Sequence, residues 1–177
     1  MIGKNRKGIK MTNKLYYSWS QIEGACLEIV RQLAADNWKP DYIVGITRGG
    51  AVPAVLISQY TGIQMKPLEV SLRDNGDCTT DCGMAEDAFN RKQILVVDDI
   101  NDSGATIAWI KDDWMQSTMP DHVSWETIFG SNVRFATVFT KASSKETVEY
   151  SVEEVEDNTW VVFPWEDFWR NDVRFNN

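Results

Sequence analysis

In the stretch QILVVDDINDSGATI, residues 93–107, an apolar run ends in Asp98 and Asp99 and then reaches Asp102, Ser103 and Gly104. Three carboxylates beside a Ser-Gly turn need a cation, or a ligand rich in hydroxyls, to share the loop with them. Where a helix starts after a strand, the first backbone N–H groups have no intrahelical acceptor and lie at the positive end of the helix dipole. Ser103, Gly104, Ala105 and Thr106 supply those groups here, so the loop is an anion site. Ser103 and Thr106 add hydroxyl donors, and Gly104 allows close approach. A monophosphate fits. The lysine that ends a Walker loop is missing, and there is no GxGxxG. Asp98 and Asp99 are adjacent at a strand end and point opposite ways, so one can face a sugar while the other faces a metal. A carboxylate accepts hydrogen bonds from vicinal hydroxyls, or holds hydrated Mg²⁺ through its waters.

The elements that must position these groups follow from periodicity. Ser20 and Glu23 read as a capping box, and Ile22, Cys26, Ile29, Val30 and Leu33 recur at helical spacing until Asn37–Pro40 ends the helix. YIVGI (42–46) is a buried strand that runs into Thr47-Arg48-Gly49-Gly50 and a second helix, AVPAVLISQY, with Pro53 in its first turn. MKPLEVSL suggests another strand. Residues 73–91 are polar without a period and read as a long loop. QILVV (93–97) is a strand, a helix covers about Ala105–Met115, residues 116–131 have no assignment, and VRFATVFT (133–140) is a strand ending at Lys141. Strands alternating with helices predict an α/β fold, a doubly wound and mainly parallel sheet. Ligands gather beyond the carboxyl ends of such strands. The loops at Thr47, Asp98 and Lys141 all begin there.

With 177 residues the chain is one domain, large enough for a core without disulfides. Its net charge of −8 is uneven. Residues 1–14 hold five lysines and arginines and no acid, and read as a basic, disordered leader ahead of a domain spanning 15–177. Taking those five from 18 basic residues leaves 13 against 26 acidic ones, a body near −13 that repels nucleic acid. There is no apolar segment for secretion or membrane spanning. Cys26 falls on the helical stripe, and Cys78 and Cys82 with the single His122 make a poor zinc set. A reducing cytoplasm is the expected compartment. The lone His122 also argues against histidine-based catalysis.

VVDDINDSGAT resembles the phosphoribosyl-diphosphate (PRPP) binding motif of type I phosphoribosyltransferases. TRGG after the first strand, FTKAS after the fourth and TWVVFPWED near the end are similar, in the same order, to bacterial xanthine-guanine phosphoribosyltransferases. The resemblance spans about residues 40–168. It implies the type I fold with a small C-terminal hood, and a Mg²⁺-dependent enzyme of purine salvage. Such an enzyme moves the 5-phosphoribosyl group from PRPP to N9 of a 6-oxopurine and releases diphosphate. It also implies a homo-oligomer, a dimer or tetramer.

By that resemblance residues 103–106 cradle the 5-phosphate, and Asp98 and Asp99 hold the ribose hydroxyls and magnesium, Asp99 on the metal side. Asp102 matches the acid facing N7 of the purine. It would act as general base or stabilise positive charge on an oxocarbenium-like ribosyl centre. Arg48-Gly49 matches the diphosphate loop, where a non-proline cis peptide is typical. Lys141 offers donors only, which suits a 6-oxo group and disfavours the amino group of adenine. Trp160 matches the aromatic that stacks on the base, and Val161 the residue whose backbone meets its 2-position edge. Glu166 would support a second magnesium, and Arg170 would reach the diphosphate. The chain departs from the family at Ser71-Leu72-Arg73-Asp74, where a Ser-Tyr hood is usual. The tract 116–132 is longer than the family needs.

Two other readings compete. A PRPP-sensing regulator of the same fold would have lost its chemistry, but Asp102 and Lys141 are present and no DNA-binding domain is evident. A receiver-like signalling domain also combines an acidic pair with a lysine, but carries the acids on its first strand. The residues leave open which of guanine, xanthine and hypoxanthine is preferred.

Overall fold

A computed structural model describes residues 13–70 and 81–166. The chain order is β1 (Asn13–Tyr16), α1 (Trp19–Ala35), β2 (Tyr42–Thr47), α2 (Ala51–Thr61), β3 (Met65–Glu69) and α3 (Cys82–Phe89). It continues with β4 (Ile94–Asn101), α4 (Ala105–Ser117), a 3-10 turn at Val123–Thr127, β5 (Val133–Lys141), β6 (Tyr150–Val155) and β7 (Thr159–Val162). Five strands form one sheet in the order β3-β2-β4-β5-β6, with every neighbouring pair parallel. This is the doubly wound α/β sheet expected from the alternation of elements.

The reason is visible in the strands themselves. Ile43, Leu95 and Val97 face a core built with Ile22, Cys26, Ile29 and Ile57 of α1 and α2. Val44, Ile46, Ile94 and Val96 face the opposite core, with Met84, Ile107, Ile110 and Trp114 of α3 and α4. Successive side chains alternate between faces, and both faces are covered, so the strands are apolar throughout.

Four local expectations are corrected. The first helix is capped at Ser18, not Ser20: Ser18 Oγ accepts from Gln21 N–H, and the Gln21 side chain returns to Ser18 N–H. Tyr17 N–H still bonds to Val162 O beside the β1–β7 ladder, so the chain is free to turn helical only from Ser18. Within 73–91, residues 82–89 form helix α3, whose buried face is only Met84, Ala85 and Ala88, too small and short to carry a period. Strand β4 extends through the acidic pair to Asn101, because β5 pairs with it as far as Asn101 and Thr140. Asn13 and Lys14, read as part of the leader, belong to β1, which pairs in parallel with β7.

β6 escaped the sequence reading because only its ends, Tyr150 and Val155, are buried. The aromatic tail is tied to the sheet through Phe163, which lies 5.7 Å from the Phe139 ring and stacks on Trp165 at 4.6 Å. Among the described residues no helix is long and apolar enough to cross a membrane.

Candidate functional site

Strand alternation sends Asp98 to the side of Val96 and Asp99 to the side of Val97, so the two acids diverge as their adjacency requires. Asp98 Oδ1 accepts the Asp99 backbone N–H at 2.9 Å. The neighbouring loop is pressed onto this strand end. A Cβ on Gly49 would fall 2.1 Å from Asp99 Oδ2, and one on Gly50 would fall 2.4 Å from Val97 O. Only glycines let the β2–α2 loop and the acidic strand end share this space. The Thr47–Arg48 peptide is cis.

Burial pushes the Asp99 carboxyl up to about 6. Hydrogen bonding from Asp98 and from the Ile100 N–H opposes that shift, and the negative charge of Glu166 adds to it. Glu166 is held by its own turn: its Oε2 accepts from Phe163 N–H at 3.2 Å, and its N–H donates to Phe163 O at 3.0 Å. Two acids from distant parts of the chain therefore bear on each other here. Among the described residues no three acids, histidines or cysteines form a complete metal cage. Mg²⁺ is bound by one or two carboxylates with waters and substrate oxygens completing its shell, so this donor set fits that ion and not one that needs an all-protein cage.

Gly104 is the N-cap of α4, with φ 82° and no side-chain hydrogen bond to the helix. Ala105 N–H reaches only Ser103 Oγ, at 3.4 Å. The left-handed turn needs glycine, and it leaves the helix start without a strong acceptor of its own. Residues 103–106 thus form the turn and the first residues of α4.

Lys141 is 4% exposed at the end of β5, and its Nζ lies 2.8 Å from Asp102 Oδ1. The Asp102 side chain is about half exposed. A buried ammonium without a partner would cost several kcal/mol, so the pair is held as a unit. Trp160 is exposed on β7 while Val161 beside it is buried, so the indole is not a core side chain. β7 follows closely on Val155, the register partner of Lys141.

The acids, the glycine loop, the anion loop and Lys141 converge at the carboxyl ends of β2, β4 and β5. Arg73 and Arg170, with the stretch Ser71–Asp74, lie outside the described residues. Two cavities lie away from the strand-end acids. One of about 270 Å³ is lined by Tyr17, Phe139 and Glu153. One of about 400 Å³ reaches Lys141 but touches neither strand-end acid. The sequence reading missed Ser144 and Glu146, which close over the anion loop from the β5–β6 connection; the FTKAS match ends just before them.

The chain is similar in sequence to the xanthine-guanine phosphoribosyltransferase of Idiomarina loihiensis. They are 28% identical over 164 residues, 90% of this chain and 91% of that protein. It is 29% identical over 160 residues to the enzyme of the same name from Cereibacter sphaeroides, covering 85% of this chain and 86% of that one. A solved purine phosphoribosyltransferase from Pyrococcus horikoshii superposes with a TM-score of 0.65 at 26% identity, over 89% of this chain and 96% of that one. The family model for the phosphoribosyl transferase domain matches residues 13–167. With that match running from β1 through the acidic strand to the hood, the chain belongs to the phosphoribosyl transferase family.

Proposed function

We propose that this protein is a purine phosphoribosyltransferase that joins a 6-oxopurine (guanine, xanthine or hypoxanthine) to the ribosyl group of PRPP, with Mg²⁺. The observation that carries this reading is the Lys141–Asp102 pair, 2.8 Å apart beside the 103–106 anion loop. It presents a donor for a 6-oxo group and an acceptor for a purine proton in one contact. The curated relatives named for xanthine and guanine support the same substrate class.

In this reading residues 103–106 hold the 5-phosphate with backbone N–H groups and hydroxyls. Asp98 accepts from the ribose hydroxyls, and Arg48 and Gly49 bind the diphosphate. Asp99, with Glu166 beside it, would hold Mg²⁺, which supplies charge neutralisation to the departing diphosphate. N9 of the base forms a bond to C1 of the ribose as the bond from C1 to the diphosphate oxygen breaks. Asp102 takes up the proton released from the base, and its charge also stabilises the cationic ribosyl centre. Lys141 donates to the 6-oxo oxygen, Trp160 stacks on the ring, and the Val161 backbone meets the 2-position edge. A cytoplasmic homo-oligomer, dimeric or tetrameric, is part of the same proposal, and light scattering of the purified chain tests its assembly.

The test is a chromatographic assay with PRPP and Mg²⁺ in which guanine, xanthine, hypoxanthine, adenine, uracil and orotate compete separately. Formation of 6-oxopurine nucleotides, abolished by chelation of Mg²⁺, is the expected result. Turnover of adenine or a pyrimidine alone would refute the assignment of Lys141, and no turnover of any base would refute the enzyme.

A further inference from the structure

The β5–β6 connection beyond Lys141 has no role in the reaction proposed above, yet it continues directly from that lysine and touches the 103–106 loop. Its anchor is Asn101, the last residue of β4 and only 3% exposed. Asn101 Nδ2 donates to Glu146 O at 2.7 Å, and Asn101 Oδ1 accepts from Ser144 Oγ at 2.7 Å. Both ends of one buried amide are thereby satisfied by residues more than forty positions away. Ser144 N–H in turn donates to Lys141 O at 3.0 Å, closing the turn that follows the lysine.

The same segment is fitted against the anion loop. Lys145 N–H donates to Ser103 O at 3.3 Å. A Cβ on Gly104 would fall 2.8 Å from Glu146 N and 3.0 Å from Glu146 Cβ, so the two loops are in van der Waals contact. The Glu146 carboxylate then reaches Lys111 of α4 at 2.6 Å, with both side chains about three-quarters buried. Glu146 is thus fixed at its carbonyl by Asn101 and at its carboxylate by α4.

We propose that Asn101 is a positioning residue that locks the 103–106 loop to the Lys141 loop through Ser144 and Glu146. This rests on the reading of the site as a phosphoribosyltransferase, because the lock then sets the distance between the phosphate-bearing ribose and the base. The same two strand ends are also joined by the Lys141–Asp102 pair and by the Lys145 N–H bond to Ser103 O, and the Asn101 amide adds two bonds from one buried side chain. A buried side-chain network with every member satisfied is rigid, and an error of about 1 Å in placing reactants costs on the order of a hundredfold in rate. None of Asn101, Ser144 and Glu146 needs to touch substrate.

The experiment uses the full chain with two variants. Asn101→Leu keeps the size and removes both hydrogen bonds. Ser144→Ala removes the hydroxyl that donates to Asn101 Oδ1 and also bonds the Glu146 backbone, at O and at N–H, and it keeps the measurement decisive if the first variant fails to fold. Hydrogen exchange on the unliganded protein reads the lock without any chemistry. Amides of residues 103–107 and 144–147 should exchange at least tenfold faster in the variants, with those of β2 unchanged. In turnover the KM for PRPP should rise about tenfold in Asn101→Leu, with a fall in kcat, and about threefold in Ser144→Ala. Folded variants with wild-type exchange and wild-type kinetics would overturn the lock. Faster exchange in the variants, with no PRPP turnover by the wild type, would support the lock and remove the reaction instead.

Discussion

Gly49 and Asp99 occupy space that no side chain at position 49 could share. A β-carbon there would sit 2.1 Å from the Asp99 Oδ2 and 2.6 Å from its Cγ. The β2–α2 loop and the strand-end acid are thereby one packed unit. Gly49→Ala must displace the carboxylate or the loop, and overpacking of this kind costs about 1–3 kcal/mol. The expected result is a loss of turnover of at least tenfold with a higher Mg²⁺ requirement, measured by steady-state kinetics against Mg²⁺ concentration. Wild-type Mg²⁺ dependence in this variant would separate the loop from the metal.

The Lys141–Asp102 pair predicts two distinct failures. Asp102→Asn keeps a hydrogen-bonding partner for Lys141 but cannot accept a proton, so kcat should fall by about 10²–10⁴ with little change in the KM for the base. Lys141→Met removes the donor to the 6-oxo group and should raise the KM for guanine while narrowing its advantage over adenine. Side-by-side kinetics of the two variants with both bases checks this.

Trp160 is 43% exposed, so its removal should matter to the base and not to the fold. Trp160→Ala is expected to shift thermal stability little, within the range of surface substitutions, about 0.5 kcal/mol. Loss of stacking should raise the KM for the purine about tenfold, a contribution of about 1–3 kcal/mol per base. A large fall in the melting temperature would show the indole to be structural.

Acid sensitivity is predicted at the foot of α3. Lys92 Nζ lies 2.8 Å from Asp87 Oδ1, and Lys66 approaches the other oxygen at 4.0 Å. Burial raises the Asp87 carboxyl, but hydrogen bonding from Lys92 and the two ammonium charges outweigh it and leave the carboxyl below its ordinary 3.8. A folded value below the unfolded one gives stability that is present above 3.8 and lost as pH falls through the folded value. The lysines are half exposed, so screening keeps the contribution under about 1 kcal/mol. Asp87→Asn should be less stable than wild type by urea unfolding at pH 7, and the difference should shrink as the pH falls below 3.8.

Cysteine labelling provides a check on packing. Cys26 is fully buried, and burial, with the nearby Glu23 charge, pushes its thiol up to about 12. Since the thiolate is the nucleophile, Cys26 should resist alkylation at pH 8 while the exposed Cys82 reacts. Mass spectrometry after iodoacetamide treatment, before and after unfolding in urea, reads both sites.

What the sequence determined by itself was local. The apolar run before Asp98, the Ser-Gly turn before Ala105 and the glycines after Thr47 fix strand ends, a helix start and close backbone approach. Those features follow from side-chain period and backbone freedom over a few residues, so they are legible without the fold, and their order along the chain carried the family resemblance. Helix α3 and strands β1 and β6 were not legible, since small alanines, a short hood strand and a charged edge strand carry little hydrophobic period. Tertiary structure decided which distant residues meet: Gly49 with Asp99, Lys141 with Asp102, and Asn101 with Ser144 and Glu146. Each of those meetings depends on the register of β2, β4 and β5 and on the path of the connections between them. Register is set by the two packed cores as a whole, and no single stretch of residues contains it.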